Sequence, residues 1–445
     1  MEIKTYSQAV NYLNSFINYE RIIKFPYRKS LKLERVENLF KKLKIDPYAL
    51  KVIHIAGTKG KGSTATYLAY ILANSGFKVG LYTSPHFKDF RERIKIVKTL
   101  NSQSRVIPIS EKSVVELVRG IKPVLEKLRF HKKFGQLSFF EVYTALAFKY
   151  FLKKNVDFAV LECGLGGRLD ATNLCKPLAC IITKIDYDHT QQLGSSLKEI
   201  ASEKAGIIKD NSLVISARQK RVVREVLKEK AKLREAKLYF YQEDFCSQNL
   251  RFSSNYTLFD YSSFLGSYSN LKIKILGEHQ VENASLAIFC FQLLKEEFNL
   301  EEKALYQGLE RAFLKGRFQM LRKAGKIFLL DIAHNPLSFS SLNQGIKRYF
   351  PSKKVILIFG CSKGKLAKKM LKNIDYEKLI FTRANHFRAQ DPLILKKLCA
   401  FKNSILTYNL ETALKKSKEI SDSQSIIVIA GSFFLVAEAL TLLEK

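Results

Sequence analysis

The run Val52-Ile-His-Ile-Ala-Gly-Thr-Lys-Gly-Lys-Gly-Ser-Thr64 is where this sequence could do chemistry. A short apolar strand ends in a glycine-rich turn. A lysine and hydroxyl residues follow and open a helix expected over Ala65 to Asn74. Glycines let backbone N–H groups approach phosphate oxygens, and a helix N-terminus adds partial positive charge. A lysine and a hydroxyl then answer the phosphate charge and a metal ion. The expectation is a nucleoside triphosphate held by Gly57, Thr58, Lys59, Gly60, Lys61, Gly62 and Ser63. The spelling departs from the common G-x-x-x-x-G-K-[ST]. Its front is shorter, and Gly62 follows Lys61. A glycine-rich strand–turn–helix that binds no phosphate is the alternative.

Ligands of parallel sheets gather at the C-terminal ends of strands. Further candidates fall at such ends: Ser84 after Val79–Thr83, Glu162 closing Phe158-Ala-Val-Leu161, His189 beyond Leu178–Ile185, and Asp331 and His334 at the end of Ile327–Ile332. A carboxylate ending a buried strand near a phosphate loop suits Mg²⁺. The plainer readings are a cap for Glu162, a turn residue beside proline for Ser84, a structural or exposed imidazole for His189, and an Asn-Pro turn after a strand for Asp331 and His334. Gly164-Leu-Gly-Gly-Arg-Leu-Asp170 reads as a nucleotide loop or a substrate-shaping loop. Lys204 ends the helix Ser196–Ala205, where a lysine ordinarily caps the helix dipole.

These residues need a scaffold, and the pattern supplies one. Apolar residues at three- and four-residue spacing mark helices at Tyr6–Ile17 and Leu33–Leu43, with a loop at 25–35 between them. Residues 87–135 read as irregular and basic, with a helix near Ser113–Leu128. Ser138-Phe-Phe-Glu141 is a capping box that opens a helix to Phe151. Strands alternating with helices imply a mostly parallel sheet. From about Cys246 to Ile275 alternating aromatic and polar residues suggest an antiparallel hairpin or small accessory sheet. Helix Val281–Phe298 follows, and then a second α/β series with strands at Ile327–Ile332, Val355–Phe359, Leu379–Thr382, Ile405–Tyr408 and Ile426–Ala430. The fold class is therefore α/β. An N-terminal P-loop ATPase-type domain carries the mostly parallel sheet and the accessory sheet, and a C-terminal Rossmann-like domain follows, with the boundary at residues 1–315 and 316–445.

Seven scattered cysteines without C-x-x-C spacing, no export signal and no membrane-length apolar run point to the cytoplasm. The net charge of +34 invites nucleic acid, but the basic residues are spread along the chain with no recognised binding motif. The densest stretch, Lys220 to Lys237, alternates basic, acidic and apolar residues as a solvated helix face does. A basic surface also attracts small polyanions. The reading is no nucleic-acid partner and no membrane.

Together these pieces resemble the folylpolyglutamate synthase/dihydrofolate synthase family of the Mur ligase superfamily. The resemblance spans roughly residues 30 to 435 and rests on Gly57-Thr-Lys-Gly-Lys-Gly-Ser63, Thr83-Ser-Pro-His86, Phe139-Phe-Glu141, Glu162-Cys-Gly-Leu-Gly-Gly-Arg-Leu-Asp-Ala-Thr-Asn173, Asp188-His-Thr190, Glu203-Lys-Ala-Gly206, Gly316-Arg-Phe-Gln319, Asp331-Ile-Ala-His-Asn-Pro336 and Gly431-Ser432. It implies an ATP-dependent amide ligase. ATP phosphorylates a folate's terminal γ-carboxylate or the carboxylate of dihydropteroate, and the amine of L-glutamate attacks the acyl phosphate.

By the same resemblance, Ser84, Glu162 and His189 hold one or two Mg²⁺, and Lys204 matches a carbamylated lysine that helps hold the metal. Asn283, Arg317 and Asp331 match ATP-binding positions. His334 matches a residue near the nucleotide and the incoming glutamate. Lys61, Lys204 and His334 form the implied catalytic set. Ser138, Phe139, Phe140, Arg168 and Leu169 match the pterin region, and Ser30 and Leu31 belong to the N-terminal pterin-side loop. A monovalent cation such as K⁺ and a monomeric state are further expectations. Departures are Lys59 for the asparagine of bacterial members, Lys32 for a glycine, and Cys163 at a small-residue position. A Mur-type cell-wall ligase fits less well, since no UDP-binding N-terminal domain is seen. A nucleotide-dependent nucleic-acid-binding protein is supported by charge alone.

Overall fold

The computed structural model describes residues 2–22, 25–101, 103–399 and 403–444. The chain divides into two compact units, one of Met1–Asn249, Phe259–Leu271 and His279–Ala312, the other of Leu250–Leu258, Lys272–Glu278 and Phe313–Lys445.

The first unit is built on eight strands: β1 (Val52–Ala56), β2 (Val79–Tyr82), β3 (Ile94–Leu100), β4 (Gln103–Pro108), β5 (Phe158–Glu162), β6 (Pro177–Ile182), β7 (Leu213–Ser216) and β8 (Lys237–Phe240). Their order is β8-β7-β6-β1-β5-β2-β3-β4. From β8 to β2 the pairs are parallel, while β3 and β4 add an antiparallel edge. β1 is central, and each of its residues is buried. Parallel strands buried on both faces read as near-continuous apolar runs, as Val52–Ala56 does but for His54. Its neighbours β5 and β6 end level with it, Ile55 opposite Glu162 and Ala56 opposite Ile182. The phosphate loop, Glu162 and the 183–189 segment are therefore delivered to one edge of the sheet.

Helix Lys61–Asn74 leaves the phosphate loop and is buried along most of its length. It begins at Lys61, earlier than the expected Ala65, so the glycine and lysine of the loop lie inside its first turn. Helices Tyr6–Asn14, Leu33–Leu43, Glu111–Leu128 and Phe139–Lys153 share one apolar core. The capping box at Ser138 is formed as expected, with Glu141 Oε2 accepting the Ser138 N–H at 2.7 Å. Arg35 anchors this region. Its Nε donates to Glu141 Oε1 at 2.9 Å and its Nη2 to the Ser30 carbonyl at 2.8 Å. Ser30 itself ends a short helix, Tyr27–Ser30, where the sequence suggested only loop. The β3–β4 hairpin was also missed, because its alternation is masked by lysines on an edge that charged residues protect from further pairing.

A three-stranded sheet, β9 (Phe245–Ser253), β10 (Tyr256–Ser263) and β11 (Gly266–Ile273), occupies the stretch where an accessory sheet was expected. The second unit has six strands, β12 (Gln319–Lys323), β13 (Lys326–Leu330), β14 (Lys354–Phe359), β15 (Lys378–Phe381), β16 (Ser404–Leu406) and β17 (Ser425–Ala430), in the order β12-β13-β17-β14-β15-β16. All are parallel except the β12–β13 hairpin. Helix Pro336–Tyr349 packs on this sheet through Phe339, Leu342 and Ile346. The α/β class with a Rossmann-like second sheet is thus as the sequence implied. Among the described residues no helix is long and apolar enough to cross a membrane.

Candidate active site

The phosphate loop owes its shape to missing side chains. Gly57 has φ +146° and Gly60 φ +93°, backbone that residues with a Cβ rarely adopt. A Cβ at Gly57 would meet Thr183 Oγ1 at 1.9 Å, and one at Gly60 would meet Asn283 Oδ1 at 2.2 Å. Asn283 therefore lies against the loop from helix Glu278–Phe298, and its backbone carbonyl accepts from Thr64 Oγ1 at 3.4 Å. The amides of Thr58 and Lys59 are spent on the Lys184 carbonyl, at 2.9 and 3.2 Å. Helix geometry leaves the amides of residues 60–63 without partners inside the helix, an arrangement suited to an anion. Thr58 acts structurally, its hydroxyl bonded to the Asp186 carbonyl at 3.0 Å and to the Asp186 amide at 3.1 Å. Burial pushes the Lys59 amine down, opposed by Asp186 and Asp188.

Two lysines converge beneath the loop. Lys61 Nζ donates to the Gly57 carbonyl at 3.2 Å and Lys204 Nζ to the same oxygen at 2.8 Å. Lys204 is buried at the end of helix Leu197–Lys204, so it does not act as a solvated capping charge. Burial, reinforced by the Lys61 charge, pushes its amine down to about 7.

Glu162 is buried at the end of β5 and faces the loop: a Cβ on Gly62 would sit 3.4 Å from its Oε2. That oxygen also accepts the Ser84 N–H at 3.1 Å. Ser84 precedes a cis bond to Pro85. Hard carboxylate and hydroxyl oxygens beside a phosphate cradle suit Mg²⁺, so Glu162 and Ser84 fit the implied ion. His189 is reached by a left-handed turn, φ +49°, and its half-exposed ring lies 3.9 Å from Asp188 Oδ2. Among the described residues no three His, Cys, Asp or Glu side chains cluster as a metal site. Three residues here were not foreseen. Thr183 and Lys184 were hidden by a strand expected to run on to Ile185, whereas β6 stops at Ile182. Lys95, on the undetected β3, donates from Nζ to Thr83 Oγ1 at 2.8 Å, and burial pushes its amine down to about 8 against the pull of Glu162 and Glu92.

Beside this edge lies a cleft of about 670 Å³ lined by Leu31, Lys32, Leu33, Glu34, Arg168, Leu169, Ser202 and Glu203. It joins the N-terminal loop to the glycine-rich loop. Arg168 Nη2 bonds Glu203 Oε1 at 2.8 Å, and the Tyr27 hydroxyl donates to Glu203 Oε2 at 3.3 Å. Gly167 packs so closely that a Cβ would lie 2.9 Å from the carbonyl oxygens of Glu203 and Lys204. Ser138 and Phe139 are in the core, 1% and 0% exposed, and serve the helix cap and packing. Phe140 packs on Gly164, where a Cβ would come within 2.5 Å of its ring. The pterin expectation thus divides: Leu31, Arg168 and Leu169 line the cleft, Ser30 anchors Arg35, and Ser138, Phe139 and Phe140 support from behind.

In the second unit Asp331 follows β13 and accepts the amides of Phe318 and Ala333, both at 2.8 Å. Burial pushes its carboxyl up, and the Arg317 guanidinium opposes the rise. The turn carrying the exposed Arg317 is closed by Gln319 Oε1 on the Gly316 N–H at 2.7 Å. His334 Nδ1 lies 2.9 Å from the Ile332 carbonyl, so that nitrogen carries the proton and Nε2 is the basic one in the neutral ring.

Comparison with known proteins agrees with this geometry. Residues 136–291 match the Mur ligase middle domain and residues 316–433 the Mur ligase glutamate ligase domain. The chain is 30% identical over 415 residues to the dihydrofolate synthase/folylpolyglutamate synthase of Bacillus subtilis (strain 168), covering 91% of this chain and 93% of the relative. This chain belongs to the folylpolyglutamate synthase/dihydrofolate synthase family. Members of the family are ATP-dependent ligases, and this chain is one. The crystal structure of folylpolyglutamate synthase from Thermotoga maritima matches with a TM-score of 0.85 at 34% identity, covering 99% of this chain and 97% of that one. A folylpolyglutamate synthase complex with AMPPCP and folate matches with a TM-score of 0.82 at 26% identity, covering 99% of this chain and 100% of that one.

Proposed function

We propose that this chain joins L-glutamate to folates in amide linkage, and to dihydropteroate as well, through an acyl phosphate made from ATP. One observation carries the reading. Lys204 follows Glu203, which lines the cleft, and its amine is bonded to Gly57 of the phosphate loop. The acceptor cleft and the phosphate cradle thus meet at one lysine.

A carboxylate is a poor electrophile, and transfer of the γ-phosphoryl group of ATP gives it a leaving group. The glutamate amine then forms the C–N bond, phosphate departs and the amine's proton is released. Such a reaction needs positioning and charge neutralisation more than covalent help. The amides of residues 60–63 with Lys61 hold the phosphates, and Asn283 keeps Gly60 in place. Arg317 and Asp331 take the ATP-binding roles of the second unit. His334, basic at Nε2, is suited to take the proton of the attacking amine. Mg²⁺, held by Glu162, Ser84 and His189, would neutralise phosphate charge. A Lys204 amine held down at about 7 is about half uncharged at neutral pH, and the uncharged form is the one that bonds CO₂ and releases a proton to give a carbamate. Leu31, Arg168 and Leu169 receive the acceptor. The enzyme works as a cytoplasmic monomer.

Product analysis with ATP and L-glutamate, offering dihydropteroate and tetrahydrofolate as separate acceptors, tests this. Glutamylated product from both is expected. Product from only one reduces the activity to that single reaction, and turnover stimulated by DNA with no pterin product overturns the reading.

A further inference from the structure

Beneath the glycine-rich loop lies a line of buried polar groups that neither phosphate binding nor acceptor binding uses. His54 is in the middle of β1 and 0% exposed. Its Nε2 lies 2.7 Å from Thr172 Oγ1 and 3.1 Å from Cys163 Sγ, and its Nδ1 lies 3.7 Å from Cys175 Sγ. Thr172 Oγ1 is 2.5 Å from Asp170 Oδ1. Asp170 Oδ1 also accepts the Thr172 N–H at 3.0 Å, while Oδ2 accepts the Gly164 and Leu165 amides, each at 2.9 Å.

The donor directions follow from chemistry. Three backbone amides, those of Gly164, Leu165 and Thr172, donate to the two oxygens of Asp170 and hold it as a carboxylate acceptor against the upward push of burial. The Thr172 hydroxyl must donate to it, so a Thr172 lone pair faces His54, and His54 carries its proton on Nε2. Burial pushes His54 down to about 3, so the ring is neutral and Nδ1 is left to accept from the Cys175 thiol. The chain of donation runs Cys175, His54, Thr172, Asp170, and ends on the carboxylate to which the Gly164 and Leu165 amides also donate.

We propose that His54 and Thr172 are positioning residues for the ligase reaction: β1, which delivers Gly57 three residues later, also fixes the Gly164–Leu169 loop through this hydrogen-bond chain and so sets Arg168 and Leu169 in register with the phosphate loop. The proposal rests on the reading of the cleft as the acceptor site. It makes the glycine-rich loop rigid through its own Asp170 and aligned through a residue of the neighbouring strand.

The test uses the full chain with Thr172→Val, which removes the hydroxyl at nearly constant volume, and Thr172→Ser, which restores it. Amide hydrogen exchange over residues 163–169 is measured together with KM for tetrahydrofolate and for ATP. Thr172→Val is expected to speed exchange in the loop and raise the acceptor KM about tenfold, as loss of a buried hydrogen bond does, with KM for ATP within about twofold. Thr172→Ser is expected to return both readouts towards the parent. Unchanged exchange in Thr172→Val, loosened exchange with an unmoved acceptor KM, or equal rises in both KM values overturn the proposal. If Thr172→Val does not fold, His54→Gln and His54→Leu replace it. A glutamine amide can supply an N–H in place of Nε2–H and is expected to hold the acceptor KM well below that of His54→Leu, and equal values overturn the chain. Failure of the proposed function is separate, since it shows as absence of pterin product in the parent enzyme before any variant is compared.

Discussion

The phosphate loop and the Arg317 turn both present cations at strand ends, and they are held by opposite means. In the first, the cations are inside. Lys61 and Lys204 share the Gly57 carbonyl, and shape comes from glycines whose Cβ positions are filled by Thr183 and Asn283. In the second, the anion is inside. Asp331 gathers the Phe318 and Ala333 amides while Arg317 stays exposed. A cradle that must let backbone approach a highly charged anion tolerates no extra atoms. A turn that displays one guanidinium needs only a carboxylate to anchor its backbone. The two regions should therefore fail differently when altered.

The largest effect is expected at Lys204. Lys204→Ala should lower kcat by more than about a hundredfold, and short carboxylic acids added to the variant should restore part of it. Full turnover in the untreated variant would show that the buried amine is structural. Next comes Gly60→Ala, which must push Asn283 aside and hold a left-handed φ. A rise of about a hundredfold in KM for ATP is expected, and an ordinary KM would mean that the cradle yields more than its packing implies.

Asp331→Asn keeps the shape but leaves one of the two amides facing an NH₂ group. About a tenfold rise in KM for ATP and a loss of about 1–3 kcal/mol in urea unfolding are expected. A change as large as that of Gly60→Ala would erase the contrast between the regions. The charge inside the first region gives a pH signature. The Lys204 amine, pushed down to about 7, is mostly protonated at pH 6 and mostly neutral at pH 8. Enzyme stripped of CO₂ should regain activity on bicarbonate addition roughly tenfold faster at pH 8 than at pH 6, once the supply of CO₂ is matched. Equal rates would count against the carbamate. The smallest effect is expected at Gly325 in the β12–β13 turn, where φ is +71° and a Cβ would meet nothing within 4 Å. Gly325→Ala should cost only about 1 kcal/mol of backbone strain in a thermal melt and leave both KM values alone.

Much of this was legible in the residues. Val52–Ala56 and Leu33–Leu43 have the bounds their apolar periods implied, because an unbroken buried run and a helical stripe are local signals. The capping box at Ser138 is equally local. What failed was also local in cause. Lys98 stands where the alternation begun by Ile94 and Ile96 calls for an apolar residue, so the sequence hides the hairpin and Lys95 with it. The end of β6 was overrun because Thr183 and Ile185 continue a strand-like composition past the last paired residue.

The sequence by itself determined the family, the phosphate loop and the strand-end carboxylate, since these are residue types at fixed spacing along one chain. Only the tertiary structure decided that Lys204 is buried against Gly57, that Glu203 ties Arg168 to that lysine, and that Phe139 belongs to the core while Leu31 and Leu169 line a cleft. The reason is physical. Burial, charge proximity and close backbone approach depend on segments far apart in sequence meeting in space, and one lysine at a helix end reads the same whether water or a phosphate loop lies beside it.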